Sequence, residues 1–216
     1  MTKLGQIQKP KVSDFEKSRK LYCLPMIPNF NQDNLSEELK QNIQQFWTQA
    51  TSKIEELEKL GKITNIYVET ITQTQIPALD LIKKLSTQLH QIIIEKLDKG
   101  ANLVPVEDQQ ILDELIDWSV CLSVIRKSQK VFNKIYHSLQ ETKNQRNQQI
   151  AKKIDQTLKN NECGMMVMTD ENRLEIQPNL PSDIQVFLVH PPAFNDVIQG
   201  FKQLLEKQNH NCSQNH

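Results

Sequence analysis

Four short apolar runs in this chain each end on side chains that can do chemistry. "IYV" is followed by Glu69, and "VPV" by Glu107 and Asp108. "MVM" leads into Asp170, Glu171 and Asn172, and "FLV" into His190. If the runs are parallel strands, their carboxyl ends share one rim, where open α/β sheets bind ligands. That rim would hold carboxylates, an amide and an imidazole. Carboxylates held close raise one another's pKa, so that one can act as a general acid or base. The same oxygens suit a divalent metal. The candidates are therefore Glu69, Glu107, Arg146 and His190 for catalysis. Asp170 and Asn172 are candidates for holding a cofactor or ligand, and Glu69 and Glu107 for a metal.

Each candidate also has an ordinary explanation. Asp108, and to a lesser degree Glu107, precede "QQILDELIDW" and suit the cap of a helix start. Glu69 reads equally as an exposed loop residue. His190 precedes two prolines and reads as a hydrogen-bonded structural histidine. Arg146 stands four residues before Ile150, on the face marked by Ile150, Ile154 and Leu158. A guanidinium there must meet a carboxylate or reach solvent. Glu69 and Glu107 are its natural partners, with a surface position the alternative. Asn147 and Asp155 read as solvated, and Trp47 and Trp118 as core.

The elements that must position these residues follow from spacing. Leu21 to Leu24 reads as a first strand. Asn34 with Glu37 forms a capping signal for a helix carrying Leu35, Leu39, Ile43, Phe46, Trp47, Ala50, Ile54, Leu57 and Leu60. Gly61 closes it as a left-handed C′ residue. "KITNIYVETI" alternates as a strand. "ALDLIKKLSTQLHQIIIEKLDKG" is a helix ending at Gly100, and "ANLVPVED" a short strand. A helical region spans about 108 to 160, with a break expected near Arg126–Lys130 or Thr142–Asn147. Gly164 closes that series. "MMVMT" and "DIQVFLV" are the last strands, and "AFNDVIQGFKQLLEK" the last helix. Strands alternating with helices imply parallel pairing through crossovers. The expected fold is a helix-rich α/β domain, residues 19–205, with a mostly parallel sheet of four or five strands. A helical hairpin is a candidate to project from it. The last two strands, about a dozen residues apart, are the exception: they allow antiparallel pairing, with "ENRLEIQPNLPS" as loop or edge strand.

Composition narrows the classes. The chain has 216 residues, with Lys+Arg 26 balanced by Asp+Glu 26. Zero net charge argues against general nucleic-acid or anionic-membrane binding. No apolar run approaches the roughly 20 residues needed to span a bilayer. The N-terminus lacks the apolar core of a secretory signal, and a cytoplasmic location is expected. Cys23, Cys121, Cys163 and Cys212 are scattered and read as free thiols. Residues 1–18 and 206–216 are polar and read as disordered tails. His210, Cys212 and His216 in the second tail are a weak metal-binding set. No glycine-rich phosphate loop, GxSxG elbow or HExxH motif is present.

The segments "IYVE", "GANLVPVEDQQIL" and "RNQQIAKKIDQTLKNNECGMMVM" resemble a bacterial protein family, and the last of them is similar to the erythromycin esterase-like, TraB and Tiki superfamily. The resemblance covers about a quarter of the chain. It implies a helix-rich α/β fold with acids and histidines at strand ends, and in some members hydrolase or metal-dependent protease activity. On it, Glu69 and Glu107 match strand-end acids, and Arg146 the arginine opening a long helix. The superfamily's Gly-x-His-like element after "MMVM" is replaced here by "TDENR", which implies a degenerate, non-catalytic member.

Three functional readings follow. The leading one is a small-molecule or metal-binding, degenerate hydrolase-like domain. The second is a hydrolase with Glu69 or Glu107 as base, a divalent metal and Arg146 as electrostatic stabiliser. The third is a non-enzymatic interaction protein, or a homodimer, associating through the helices at 34–60 and 108–142, the rim acids being ordinary caps.

Overall fold

The computed structural model describes residues 18–27, 35–74 and 76–213, with side chains as far as 206. Five strands form one sheet: β1 (Arg19–Pro25), β2 (Ile63–Val68), β3 (Asn102–Val104), β4 (Cys163–Met168) and β5 (Ile184–Leu188). Their order is β3-β2-β4-β1-β5, and every neighbouring pair is parallel. The helix-rich α/β fold is thus the one expected from the alternation of apolar periods. The antiparallel alternative for the last two strands is overturned. β4 and β5 are not neighbours, because β1 lies between them and pairs with both, Tyr22 opposite Met165 on one side and Phe187 on the other. The intervening "ENRLEIQPNLPS" is a short helix and a 3-10 turn rather than an edge strand.

Among the described residues there are seven α-helices: α1 (Glu37–Glu58), α2 (Ile76–Leu85), α3 (Thr87–Asp98), α4 (Gln109–Val124), α5 (Gln129–Thr157), α6 (Asp170–Ile176) and α7 (Phe194–Ser213). Alternating strand residues split the core in two. Tyr22, Leu24, Val68, Met165 and Val167 pack with Phe46, Ile54, Ile82, Ile93, Val197 and Phe201 of α1, α2, α3 and α7. Leu21, Cys23, Tyr67, Met166 and Met168 face Ile150, Ala151 and Ile154 of α5 and Ile176 of α6. The chain moves toward the β3 edge under the first layer and back toward β5 under the second. A constant crossover handedness requires this change of face when the direction of travel reverses.

Local details depart from the sequence reading in instructive ways. Ser36 caps α1 by accepting from the Leu39 amide at 3.2 Å; Asn34 lies outside the described residues. The helix expected across 78–100 is two, broken at Ser86, which caps α3 through Leu89 N. Gly100 takes the left-handed conformation expected of it, with φ 93°. Gly61 does not. A side chain there would meet Cys163 Sγ at 2.1 Å, so close approach of the chain, not backbone freedom, demands glycine. Gly164 lies inside β4, and Asn161 (φ 66°) supplies the left-handed turn before that strand. The long helical region breaks at Ile125–Ser128, where Ser128 caps α5. α7 continues to Ser213, past residue 206 where a disordered tail was expected. Residues 1–17, part of the expected N-terminal tail, and the side chains of His210, Cys212 and His216 lie outside the described set. Cys23, Cys121 and Cys163 are free thiols. Among the described residues no helix is long and apolar enough to cross a membrane.

Candidate functional site

The chain leaves β2 toward β3 and leaves β4 toward β5, in opposite directions. β2 and β4 are neighbours, so the topological switch point, where a crevice opens at the strands' carboxyl ends, lies between them. Glu69 directly follows β2, and Thr169 directly follows β4. Glu107 comes from the turn after β3, and Arg146 enters from the middle of α5. All four meet there, joined by Asn172.

Arg146 is the centre of the cluster. Its Nε donates to Glu107 Oε2 at 2.9 Å, its Nη2 to Glu69 Oε1 at 3.1 Å, and Nη2 also pairs with Glu107 Oε1. Glu69 in turn accepts from Thr169 N at 2.8 Å and from the Asn172 amide. Glu107 accepts from Thr70 N at 3.3 Å. The three charged residues are 6%, 7% and 5% exposed for Glu69, Glu107 and Arg146. Burial pushes the Arg146 pKa down, but the hydrogen bond and charge of Glu107, with those of Glu69, more than offset this and hold it above the ordinary arginine value. Two carboxylates and one guanidinium leave a formal −1, solvated by three N–H donors from Thr70, Thr169 and Asn172. A buried charge cluster persists only when it is paired and hydrogen-bonded in this way.

The backbone around it is strained. Thr70 has φ 70°, a left-handed conformation that is an outlier for a β-branched residue. Its Oγ1 is buried and has no hydrogen-bond partner among the described residues. The amides of Val106 and Glu107 both reach Ile71 O at 3.1 Å, which ties this turn to the start of α4.

The cluster brings together Glu69, Glu107, Arg146 and Asn172, the residues named from sequence, but not His190 or Asp170. His190 sits beyond β5, two strand spacings from β4 or about 10 Å, and stacks edge-on against Phe194 at 4.7 Å between ring centroids. It is exposed. Asp170 pairs with Arg173 at 2.9 Å in the first turn of α6. Asp108 caps α4, accepting from Gln110 N at 3.0 Å and Ile111 N at 3.1 Å. Glu107 does not cap; it turns inward to Arg146. Asn147, expected in solvent, is buried and donates to Glu175 Oε2 at 3.2 Å. Asp155 is half exposed but is held by Arg19 at 2.7 Å, which also clasps Asp183 at the opposite end of the sheet.

This geometry is closed rather than open. The space between the two carboxylates that a metal would fill is taken by the guanidinium. Among the described residues no group of three or more His, Cys, Asp or Glu side chains stands close enough to hold a metal ion. A groove of about 600 Å³ lies elsewhere, between α1 and α3, lined by Ile43, Trp47 and Ile92 with Lys40 and Glu95.

What the cluster does hold is an arm. α4 packs principally on α5. Leu115, Trp118, Leu122, Ile125 and Ile135 are half buried between them, so Trp118 belongs to the arm's seam and not to the core. Past Thr142, α5 passes under the sheet. Glu107 stands at the root of α4, and Arg146 where α5 leaves the arm. Six of the twelve exposed large apolar side chains among the described residues lie on the arm: Ile116, Val120, Val124, Val131, Phe132 and Tyr136. The periodicity of 108–142 marks this hairpin, and a further apolar stripe at 116, 120 and 124 lies outside the set expected from sequence. Its i, i+4, i+8 spacing was the available signal.

Comparison with family models, with curated proteins and with solved structures finds no match.

Proposed function

We propose that this chain is a non-enzymatic interaction protein, in which the α/β body holds a helical arm out toward a protein partner. The observation that carries the reading is the concentration of Ile116, Val120, Val124, Val131, Phe132 and Tyr136 on α4 and the outer half of α5, with α4 packed principally on α5. Exposed apolar side chains concentrated on one projecting element mark interaction sites more often than the same residues scattered singly over a surface. The buried cluster then has a mechanical role: it fixes both roots of the arm to the end of β2. The resemblance to the erythromycin esterase-like, TraB and Tiki superfamily, which implies a degenerate member, agrees with a non-catalytic role.

The test is a photo-crosslinking amino acid placed at Val120 and, as a control, at exposed Glu171 on the body, in the cells that make the protein. A discrete adduct from position 120 and none from 171 is expected. No adduct from 120, or equal labelling from both, overturns the reading.

A second reading, binding of a small molecule at the strand-end crevice, is favoured by Thr70. A strained residue with an unpartnered buried hydroxyl beside the switch point is the kind of feature that ligand sites retain. Native mass spectrometry of the protein from its own cells tests it. A bound mass that disappears in Thr70→Gly supports it, and a bare protein in both cases rejects it.

A further inference from the structure

We propose that the arm's partner is a second copy of this chain, docked with α4 antiparallel to α4 about a two-fold axis at Val120. The inference rests on the reading of the arm as an interaction surface and names what that surface takes.

The first argument is the face. At 100° per residue, Ile116, Val120 and Val124 lie on the side of α4 opposite to Leu115, Trp118 and Leu122, which turn toward α5. They are 53%, 57% and 64% exposed. Asp113 and Asp117 lie on the same outer face, toward its root end.

The second argument is charge. The root of α4 carries Asp113, Glu114 and Asp117 and no base, while the tip carries Arg126, Lys127, Lys130 and Lys134 and no acid. None of the seven forms an ion pair within the described residues; Asp113 accepts from Gln109 and Arg126 donates to the Ser123 carbonyl. Acids near a helix N-terminus and bases past its C-terminus also suit that helix's own dipole, by a few tenths of a kcal/mol each. The dipole does not call for three exposed apolar side chains between them. A surface acidic at one end, basic at the other and apolar in the middle complements itself only when reversed, which is the geometry of an isologous dimer. Side by side in the same sense, tip would meet tip and repel.

The register is then determined. With Val120 opposite itself, Ile116 of each copy meets Val124 of the other. The acids of each root, Asp113 and Asp117, then lie toward the basic tip of the other copy, Arg126 and Lys127, which follows the end of α4. Apolar contacts and opposite charges fall into place from one choice of axis.

The experiment uses the full chain with Cys121→Ser and Cys212→Ser; Cys23 and Cys163 are buried and stay. Sedimentation equilibrium over a range of concentrations should show a monomer–dimer equilibrium. Asp113→Lys/Asp117→Lys and Arg126→Glu/Lys127→Glu should each weaken it at least ten-fold, and an equimolar mixture of the two should restore it. For orientation, Val120→Cys should oxidise to a covalent dimer by itself. Ile116→Cys should not, because the two copies' positions are about 12 Å apart along the axis, but it should crosslink when mixed with Val124→Cys. Circular dichroism confirms that these surface variants fold. A parent chain that stays monomeric, a mixture that fails to recover dimer, or self-crosslinking of Ile116→Cys overturns the proposal. A monomeric parent that still gives a discrete adduct at Val120 with another protein rejects the second copy while keeping the interaction reading. A monomeric parent without any adduct rejects both.

Discussion

The Nη2 of Arg146 stands 3.1 Å from Oε1 of Glu69, bridging the middle of α5 to the end of β2 across 77 positions of sequence. The same guanidinium holds Glu107, one residue before the cap of α4. One side chain thus fastens both helices of the arm to the sheet, at the switch point where its strands' connections diverge.

Removing Arg146 should therefore be severe. Arg146→Met leaves two carboxylates buried without a cation, and breaking a buried pair from one side costs about 3–5 kcal/mol. Urea unfolding of that variant should show a loss of this size. Arg146→Lys should recover little, since an ammonium cannot reproduce the forked contact with Glu107 and Glu69. Glu69→Gln/Glu107→Gln/Arg146→Met, which removes all three charges together, should recover most of the loss. A single-variant loss below about 1 kcal/mol would mean that the cluster is solvated.

Thr70→Gly should stabilise the protein. Glycine takes φ 70° without the penalty a β-branched residue meets, and the lost hydroxyl has no partner to leave behind. The gain, less the extra chain entropy of glycine, is about 0.5–1 kcal/mol. A drop in thermal midpoint would show instead that the hydroxyl is engaged.

Stability should fall in alkali. Burial among Leu21, Tyr67 and Met168 pushes the Cys23 thiol up to about 12 from 9.0. Between those values the unfolded chain gives up the proton and the folded one keeps it, so unfolding is favoured as pH rises. This removes at most about 1.4 kcal/mol per pH unit. Below pH 9 the group contributes no slope. Cys23→Val should flatten the dependence between pH 9 and 11, as read by urea midpoints. An unchanged slope would assign it to other groups, of which Tyr67, also raised to about 12 by burial, is the first.

Much of the cluster is legible in the sequence. Arg146 lies one helical turn before Ile150, so spacing puts it on the buried face, where a guanidinium must meet a carboxylate or reach solvent. The strand ends supplied Glu69 and Glu107. His190 could not be placed, because the position of β5 beyond β1 depends on crossovers, and strand order is not written in apolar periods. Trp118 was misplaced for a related reason. Period tells which side of a helix is covered, not whether a core or a single neighbouring helix covers it. The seven-residue α6 is too short for a period to show, so Asp170 and Asn172 read as a loop. Gly61 reads as a turn residue until Cys163 is known to stand against it. Thr70 carries no sequence signal, since its conformation follows from the docking of residues 69–72 on the start of α4.

The most direct test of the clasp is a distance measurement between spin labels at Lys127→Cys, on the arm tip, and Glu171→Cys, on the body, in a Cys121→Ser/Cys212→Ser chain. To keep the distances intramolecular, the doubly labelled chain is diluted with unlabelled protein. The parent should give a single narrow distribution. Glu69→Gln/Glu107→Gln/Arg146→Met, folded but without the charged clasp, should give a broad one. Equal widths in the two chains would contradict the claim that this buried ion cluster exists to hold the arm.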